Sequence, residues 1–298
     1  MDIRGCFYIL AAASMWGLIG VFTKFLLAED ISAMEIAFWR ANFGWLCFLA
    51  HAKYRRIVRV SYRDLPVLLS FGFVCVTMFY VSYQLAIRDV GMALAAVLLY
   101  TAPAWVAFLS RVILKEPLGA IKLTCVVMTI AGVACISLGP KLLGGSTIPL
   151  DLFGLAAGLT AGLTYALYYI FGKKWLHRYS TPTIFTYALP FGSLILLPFV
   201  DFAPKSSTAW LLLVGIGMIC SYGAFSAYYA GLRRMEATNA AVIATFEPVL
   251  AAVLAFVLFG EQFGIFGYAG SALIMAALLM VVIDQKTRRN KECPNSDR

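Results

Sequence analysis

The 298-residue sequence predicts an all-α polytopic membrane protein, with ten transmembrane helices arranged as two inverted five-helix repeats around a central cavity. Three observations predict this fold. The composition is 62% hydrophobic and only 13% charged, the apolar residues form ten long runs, and the second half of the chain repeats features of the first. Soluble domains carry about 25% charged residues, so the composition excludes a water-soluble fold.

Each apolar run is long enough to cross a bilayer core about 30 Å thick, which requires roughly 20 helical residues. The ten runs are Gly5–Leu26, Ala33–Ala50, Leu65–Ile87, Met92–Leu114, Leu118–Leu138, Leu152–Gly172, Thr183–Val200, Ala209–Leu232, Ala240–Phe259 and Gly264–Ile283. Lipid supplies no hydrogen-bond partners for the backbone, so the runs must be helices or the strands of a closed barrel. Their weak alternation of apolar and polar residues argues against a barrel.

The basic residues predict the orientation of the chain. Nineteen Lys and Arg residues lie in alternate gaps between the runs and at the two ends of the chain, whereas four lie in the other gaps: Lys24, Arg88, Lys141 and Lys205. The positive-inside rule therefore places both termini in the cytoplasm, which favours a multi-pass protein of the inner (plasma) membrane. The net charge of +9 belongs to this pattern, so we expect no nucleic-acid partner. Residues 286–298 are polar and basic and are expected to form a disordered cytoplasmic tail.

An internal repeat divides the chain into residues 1–145 and residues 146–285, with five predicted helices in each. A shift of 145 positions aligns Tyr83 with Tyr228, Arg88 with Arg233, Pro103 with Pro248, Glu116 with Glu261 and Gly119 with Gly264. Near the start of each repeat, Lys24 aligns with Lys173 at a shift of 149. An odd number of helices per repeat makes the second copy enter the membrane from the opposite side. Inverted repeats around a site at the membrane midplane are typical of secondary transporters.

The repeated stretches resemble a known family. They read "AAVLLYTAPAWVAFLSRVILKEPLG" and "AAVIATFEPVLAAVLAFVLFGEQFG", and they occur together with Trp16-Gly17 in the first run and Arg40 in the second. In this combination the chain is similar to EamA-type members of the drug/metabolite transporter superfamily, over about 280 residues. The resemblance implies a basket of ten helices whose central cavity is lined mainly by the first, third and fourth helices of each repeat. It also implies export of amino acids, other metabolites or drugs.

Glu247 is the main candidate for a substrate-binding group. It is the one carboxylate that lies well inside a predicted span, and its repeat counterpart is Ala102. A charge within a bilayer costs about 2.5–3.5 kcal/mol on insertion scales, so the side chain should face water or a partner. Glu247 could bind a substrate ammonium group or a coupling proton. Alternatively, it is a paired charge that fixes helix packing.

Two further features of the spans have both functional and structural interpretations. Arg40 could bind a substrate carboxylate, or it could reach the membrane surface and cap backbone carbonyls; the second role is favoured. We expect Arg40 and Glu247 to lie at different depths without a direct salt bridge. Pro103 and Pro248 should kink two symmetry-related helices. These kinks shape or gate a cavity, or are only structural.

Aromatic residues cluster on the same spans and are candidates for the cavity wall. The candidates are Trp16, Tyr80, Tyr83, Tyr100, Tyr165, Tyr169, Phe225 and Tyr228. Several are three or four positions apart and so share one helix face. Facing inward, they would suit apolar or aromatic solutes that carry an amino group, through stacking and cation–π contacts. For any single residue, ordinary packing is the simpler explanation.

Together these features predict a secondary transporter that exports small amphipathic metabolites, most of all amino acids, including aromatic ones. No ATP-binding motif, catalytic triad or His/Cys cluster is present, so we expect no enzyme activity, no metal and no cofactor. The expected partners are a small-molecule substrate, the lipid bilayer and a coupling proton, and the protein should be a monomer or homodimer. Drugs, sugar nucleotides and sugar phosphates are alternative solutes. A membrane enzyme or scaffold is a more distant alternative.

Overall fold

A computed structural model describes residues 3–143, 151–260 and 264–292, and every regular element in these ranges is helical. The α-helices are α1 (Ile3–Gly17), α2 (Ile19–Leu27), α3 (Ala33–Tyr54), α4 (Leu65–Gly72), α5 (Phe79–Leu99), α6 (Ala102–Leu109), α7 (Ala120–Leu143), α8 (Leu152–Trp175), α9 (Thr181–Leu196), α10 (Ser207–Ile216), α11 (Ala224–Leu232), α12 (Ala237–Ala244), α13 (Phe246–Phe259) and α14 (Ile265–Glu292). Three π-helical segments, Phe73–Met78, Ser110–Leu114 and Gly217–Gly223, and a 3₁₀ turn at Leu197–Phe199 continue these helices. The all-helical fold class is confirmed.

Eight helices in the described part of the chain are long and apolar enough to cross a membrane. One of them, Leu65–Leu99, is 35 residues long and contains a sharp break at Gly91, where φ is +80° and ψ is 159°. Such a φ is readily adopted only by glycine, and it separates two helical parts at a kink. The predicted second span corresponds to α3, which has 22 residues but carries Glu35, Arg40 and Lys53. The count of ten spans stays a prediction.

The two halves share local irregularities at equivalent positions. The π-helical segments Phe73–Met78 and Gly217–Gly223 are related by the 145-residue shift. Helix α5 ends at Leu99 and α12 ends at Ala244, four residues before Pro103 and Pro248. Proline has no N–H to donate to the carbonyl four residues earlier, so each helix breaks at that point. The two halves therefore share the positions of their π-helical segments and helix breaks as well as their helices.

Helix pairing follows the same symmetry. Helix α1 packs on α11 and α8 packs on α5, while α3 pairs with α9 and α7 pairs with α14. The last pair is in very close contact, since a Cβ atom added at Gly132 would lie 2.7 Å from the carbonyl oxygen of Gly270. Small residues permit this approach between membrane helices. The core thus lies between the two halves.

The described loops gather at two ends of the bundle. At one end, Lys122 pairs with Glu236 at 2.6 Å, Arg178 pairs with Asp64 at 2.6 Å, and Gly5 lies against Arg234. Gly139 lies beside Phe266 and Gly132 lies beside Gly270, so α14 runs antiparallel to α7 and ends near the start of α7. The described parts of both termini therefore lie at this end. We call it the basic end.

At the opposite end of the bundle, Ser206 donates a hydrogen bond to Glu29 at 2.5 Å. Asp64 and its counterpart at a shift of 145, Ala209, thus lie at different ends, as an inverted repeat requires.

The expected tail is in part helical. Helix α14 continues to Glu292, so the expectation of disorder is wrong for residues 286–292. Lys, Arg and Glu are good helix formers, and basic residues near a helix C-terminus interact favourably with its dipole. Residues 293–298, and the predicted repeat boundary at residues 145 and 146, lie outside the described ranges.

Candidate functional site

Glu247 lies at the break between two helices in the interior of the bundle. Thr245 separates α12 from α13, and Glu247 is in the first turn of α13. The positive end of a helix dipole stabilises a carboxylate at this position. The break that Pro248 causes therefore also creates a suitable place for the charge. Residues 237–245, on the basic side of the break, are buried, whereas Glu247 itself is partly exposed.

Two tyrosines from different helices approach the Glu247 carboxylate. The hydroxyl of Tyr165, on α8, donates a hydrogen bond to Oε2 over 3.4 Å. Tyr100, between α5 and α6, is a second neighbour of the carboxylate. The structure therefore brings three predicted site residues, from both halves of the chain, to one point.

Arg40 provides a positive charge in the same region. Its Nε donates a hydrogen bond to Ser221 Oγ at 3.2 Å, and its guanidinium interacts electrostatically with Tyr80, Tyr168 and Glu247. No ion pair joins Arg40 to Glu247 among the residues that the model describes. The two roles predicted for Arg40, binding a substrate carboxylate and capping backbone carbonyls, both stay predictions.

The aromatic candidates form one connected network. Phe79 packs on Tyr165 with ring centroids 5.5 Å apart and also contacts Tyr80 and Tyr83. Tyr165 contacts Tyr169 at 5.3 Å, and the series continues through Tyr228 to Trp16 and Phe225. Seven of the eight predicted aromatic residues, all except Tyr100, thus belong to one network of ring contacts. We call the region around Arg40, Glu247 and these aromatic residues the central site.

One part of the aromatic network is partly exposed, and the other part is buried. Tyr80, Tyr83, Tyr100 and Tyr165 are partly exposed, although they lie within the bundle. Toward the basic end, Trp16, Tyr169, Phe225 and Tyr228 are buried, the last at 1% exposure. The aromatic residues of the central site are therefore more buried toward the basic end than on its other side.

Polar contacts surround the turn that joins α11 to α12. Lys173 donates hydrogen bonds to the carbonyl oxygens of Leu232 and Met235, at 2.8 Å and 2.6 Å. The Glu116 carboxylate accepts from the backbone N–H of Ala237 at 2.9 Å. These contacts satisfy backbone groups at the end of one helix and the start of the next. We call them, together with the Lys122–Glu236 pair, the basic-end clamp.

Sequence reasoning missed several of these residues. Ser221 is 181 positions from Arg40 and carries no motif that would have indicated the contact. Glu35 is fully buried and pairs with Lys205 near the end opposite the basic end, whereas Glu247 is partly exposed. The clamp residues Glu116 and Lys173 could have been found, because both are among the residues that the repeat aligns.

No group of three or more His, Cys, Asp or Glu side chains in the described ranges could hold a metal ion. The polar groups of the central site are instead one carboxylate, one guanidinium and several phenols. Such groups bind small molecules through hydrogen bonds and charge.

Comparisons with known proteins agree with this architecture. The EamA-like transporter family model matches residues 3–138 and again residues 152–283. An uncharacterized transporter of Archaeoglobus fulgidus is 29% identical over 282 residues, covering 91% of this chain and 94% of the relative. YicL, an uncharacterized inner membrane transporter of Salmonella typhimurium, is 26% identical and covers 96% of this chain and 97% of the relative.

A solved crystal structure has the same fold. It superposes with a TM-score of 0.83 at 18% sequence identity, over 95% of this chain and 98% of the other. The family model matches both halves of the chain separately, as the internal repeat predicts. This protein is a membrane transporter and belongs to the EamA-like transporter family.

Proposed function

We propose that the protein is a secondary transporter that exports small amphipathic metabolites by alternating access, with amino acids, including aromatic ones, as its main substrates. The observation that carries this proposal is the position of Glu247: an interior carboxylate at a helix break, approached by two tyrosines and set in an aromatic network. A carboxylate suits an ammonium group, and the aromatic faces suit both the cation and an apolar side chain. Amino acids combine these features.

The difference in burial between the two sides of the central site supports alternating access. The aromatic residues and the clamp lie on the more buried side, while the tyrosines nearer the other end stay partly exposed. In an inverted repeat, exchanging the conformations of the two halves opens the more buried side and closes the other one. Such a cycle needs no ATP.

We also propose an orientation. The described parts of both termini lie at the basic end, and the positive-inside rule predicts that this end faces the cytoplasm of a cell whose inner (plasma) membrane holds the protein. A protease-sensitive tag on either terminus should then be cleaved in inside-out vesicles and protected in right-side-out vesicles. Cleavage in right-side-out vesicles would contradict the orientation.

A flux assay tests the proposed function. Purified protein in liposomes should move several labelled amino acids faster than protein-free liposomes do, with phenylalanine, tyrosine and tryptophan among the best. Repeating the assay with an imposed pH gradient distinguishes proton-coupled export from downhill flux, since only coupled transport accumulates solute against its gradient. Flux of no amino acid would overturn the substrate class.

A further inference from the structure

The central site contains two opposite charges that lack a direct ionic partner. Arg40 belongs to none of the ion pairs in the described ranges, and the same is true of Glu247. Charges at membrane depth are costly unless a partner or water compensates them. The protein keeps both charges in its interior without joining them, so water or a bound solute must compensate them.

The Arg40 guanidinium has hydrogen-bond donors that no described residue uses. Its Nε is bonded to Ser221, but neither terminal nitrogen of the guanidinium has a hydrogen-bond partner within the described residues, and the side chain is partly exposed. The Ser221 contact fixes the orientation of the group. A fixed guanidinium with free terminal nitrogens is suited to a carboxylate, which it binds through two parallel hydrogen bonds.

The Glu247 carboxylate can accept more hydrogen bonds than its neighbouring tyrosines donate. Its bond from Tyr165 is long, at 3.4 Å, and Tyr100 is its other neighbour. An ionised carboxylate accepts about four hydrogen bonds, so two phenols leave room for the N–H donors of an ammonium group. The two tyrosines position the carboxylate without neutralising its charge.

Contacts through α1 connect Arg40 with the helix that carries Glu247. Arg40 is bonded to Ser221, and the neighbouring Cys220 carbonyl accepts a hydrogen bond from Trp16 Nε1 at 3.1 Å. Gly17, the next residue along, packs on the backbone of Glu247, since a Cβ added there would lie 3.3 Å from the Glu247 carbonyl oxygen. A short series of contacts therefore connects Arg40 with the backbone of Glu247 along one side of the site.

We propose that the central site recognises a zwitterion, with the substrate carboxylate on Arg40 and the substrate ammonium on Glu247. The substrate side chain then packs on the partly exposed rings of Phe79, Tyr80 and Tyr83. This proposal rests on the proposed function and adds to it, because it requires both charged groups of the amino acid. A solute with only one of them leaves a charge of the site without a partner.

Competition against labelled L-phenylalanine flux tests the proposal. The competitors are unlabelled L-phenylalanine, phenethylamine, which lacks the carboxylate, and 3-phenylpropionate, which lacks the amine. Phenylalanine should compete at least about tenfold better than either analogue, because an unpaired buried charge costs more than 1.4 kcal/mol. Equal competition by either analogue would overturn zwitterion recognition while leaving transport intact. Absence of phenylalanine flux would instead count against the proposed function.

Two variants test which charged residue binds the carboxylate of the substrate and which binds its ammonium group. Arg40→Gln should lose most of the preference for phenylalanine over phenethylamine, and Glu247→Gln should lose most of the preference over 3-phenylpropionate. Matched controls are Arg88→Gln, whose wild-type side chain is 66% exposed, and Glu29→Gln at the opposite end, both of which should keep the wild-type preferences. Unchanged preferences in folded Arg40 and Glu247 variants would overturn the assignment. The competition assay on the wild-type protein tests the proposal even if a variant fails to fold.

Discussion

At the scale of single residues, the central site is asymmetric within a symmetric fold. The repeat counterpart of Glu247 is Ala102, which is buried against its neighbours, and the position 145 residues after Arg40 is Phe185. Each half therefore contributes one of the two charges, and neither charge is duplicated. A solute with two different ends needs two different groups, so this asymmetry fits a zwitterion better than a symmetric cation.

Removing the Tyr165 hydroxyl tests whether this group contributes to substrate binding at the central site. Tyr165→Phe removes the donor to Glu247 but keeps the ring, so the aromatic network should persist. A hydrogen bond to a charged group contributes about 1.5–3 kcal/mol, and a 3.4 Å contact belongs at the weak end of this range. We expect the KM for phenylalanine to rise about tenfold in the flux assay, because about 1.4 kcal/mol corresponds to a factor of ten.

Tyr54→Phe is the matched control, because Tyr54 is 85% exposed. It should leave the KM for phenylalanine unchanged. A Tyr165→Phe variant with a wild-type KM would show that the hydroxyl does not help to form the site.

The sequence indicated Glu247 and the aromatic candidates but not their surroundings. An acid within an apolar run is conspicuous because of its desolvation cost, and aromatic residues at helical spacing share a face. The role of Arg40 was harder to predict, because it depends on Ser221 and on helices far away in the chain. Burial of Glu35 was hidden for the same reason, since its partner Lys205 is 170 positions away.

At the scale of helices, breaks and clamps divide the bundle into movable parts. Helices α5 and α12 end four residues before a proline, so the two central helices are discontinuous at equivalent positions. The basic-end clamp holds the turn between α11 and α12 on both sides, through Lys173 and Glu116. The carbonyls of this turn would lose their partners if the clamp opened, so opening must be compensated elsewhere.

Glu116 gives the clamp a pH-dependent component. Burial raises the pKa of Glu116 above its ordinary value of 4.5, although the Ala237 N–H and nearby lysines oppose this shift. An acid with a raised pKa in the folded state binds its proton more tightly there, so its contribution to stability falls as pH rises through that pKa. Glutamine cannot ionise but keeps an oxygen that accepts from Ala237. We therefore expect Glu116→Gln to melt about 2 °C above wild type at pH 7.

The difference in melting temperature should shrink as the pH falls toward 4.5, where wild-type Glu116 is itself protonated. Thermal unfolding in detergent, followed by tryptophan fluorescence, measures it. Glu29→Gln serves as the control and should follow wild type at each pH. A Glu116→Gln variant that melts below wild type at pH 7 would indicate that the ionised group stabilises the clamp.

At the scale of the whole molecule, the inverted repeat was the most informative feature of the sequence. Matching positions such as Pro103 and Pro248 predicted equivalent helices, and the structure adds equivalent π-helical segments and breaks. Sequence hydropathy could not predict which side of the central site is more buried, because burial depends on side chains such as Trp16, Phe225 and Tyr228 that meet only in the folded bundle. The helical extension of α14 was missed because a polar composition alone suggests disorder.

The central claim is that a single carrier site is exposed alternately to the two sides of the membrane. Counterflow tests it most directly: liposomes that contain the protein and are preloaded with unlabelled L-phenylalanine are diluted into a trace of labelled L-phenylalanine. An alternating-access carrier predicts transient accumulation of label above its external concentration, without ATP. Label that only equilibrates, or that enters no faster than in protein-free liposomes, would contradict the claim.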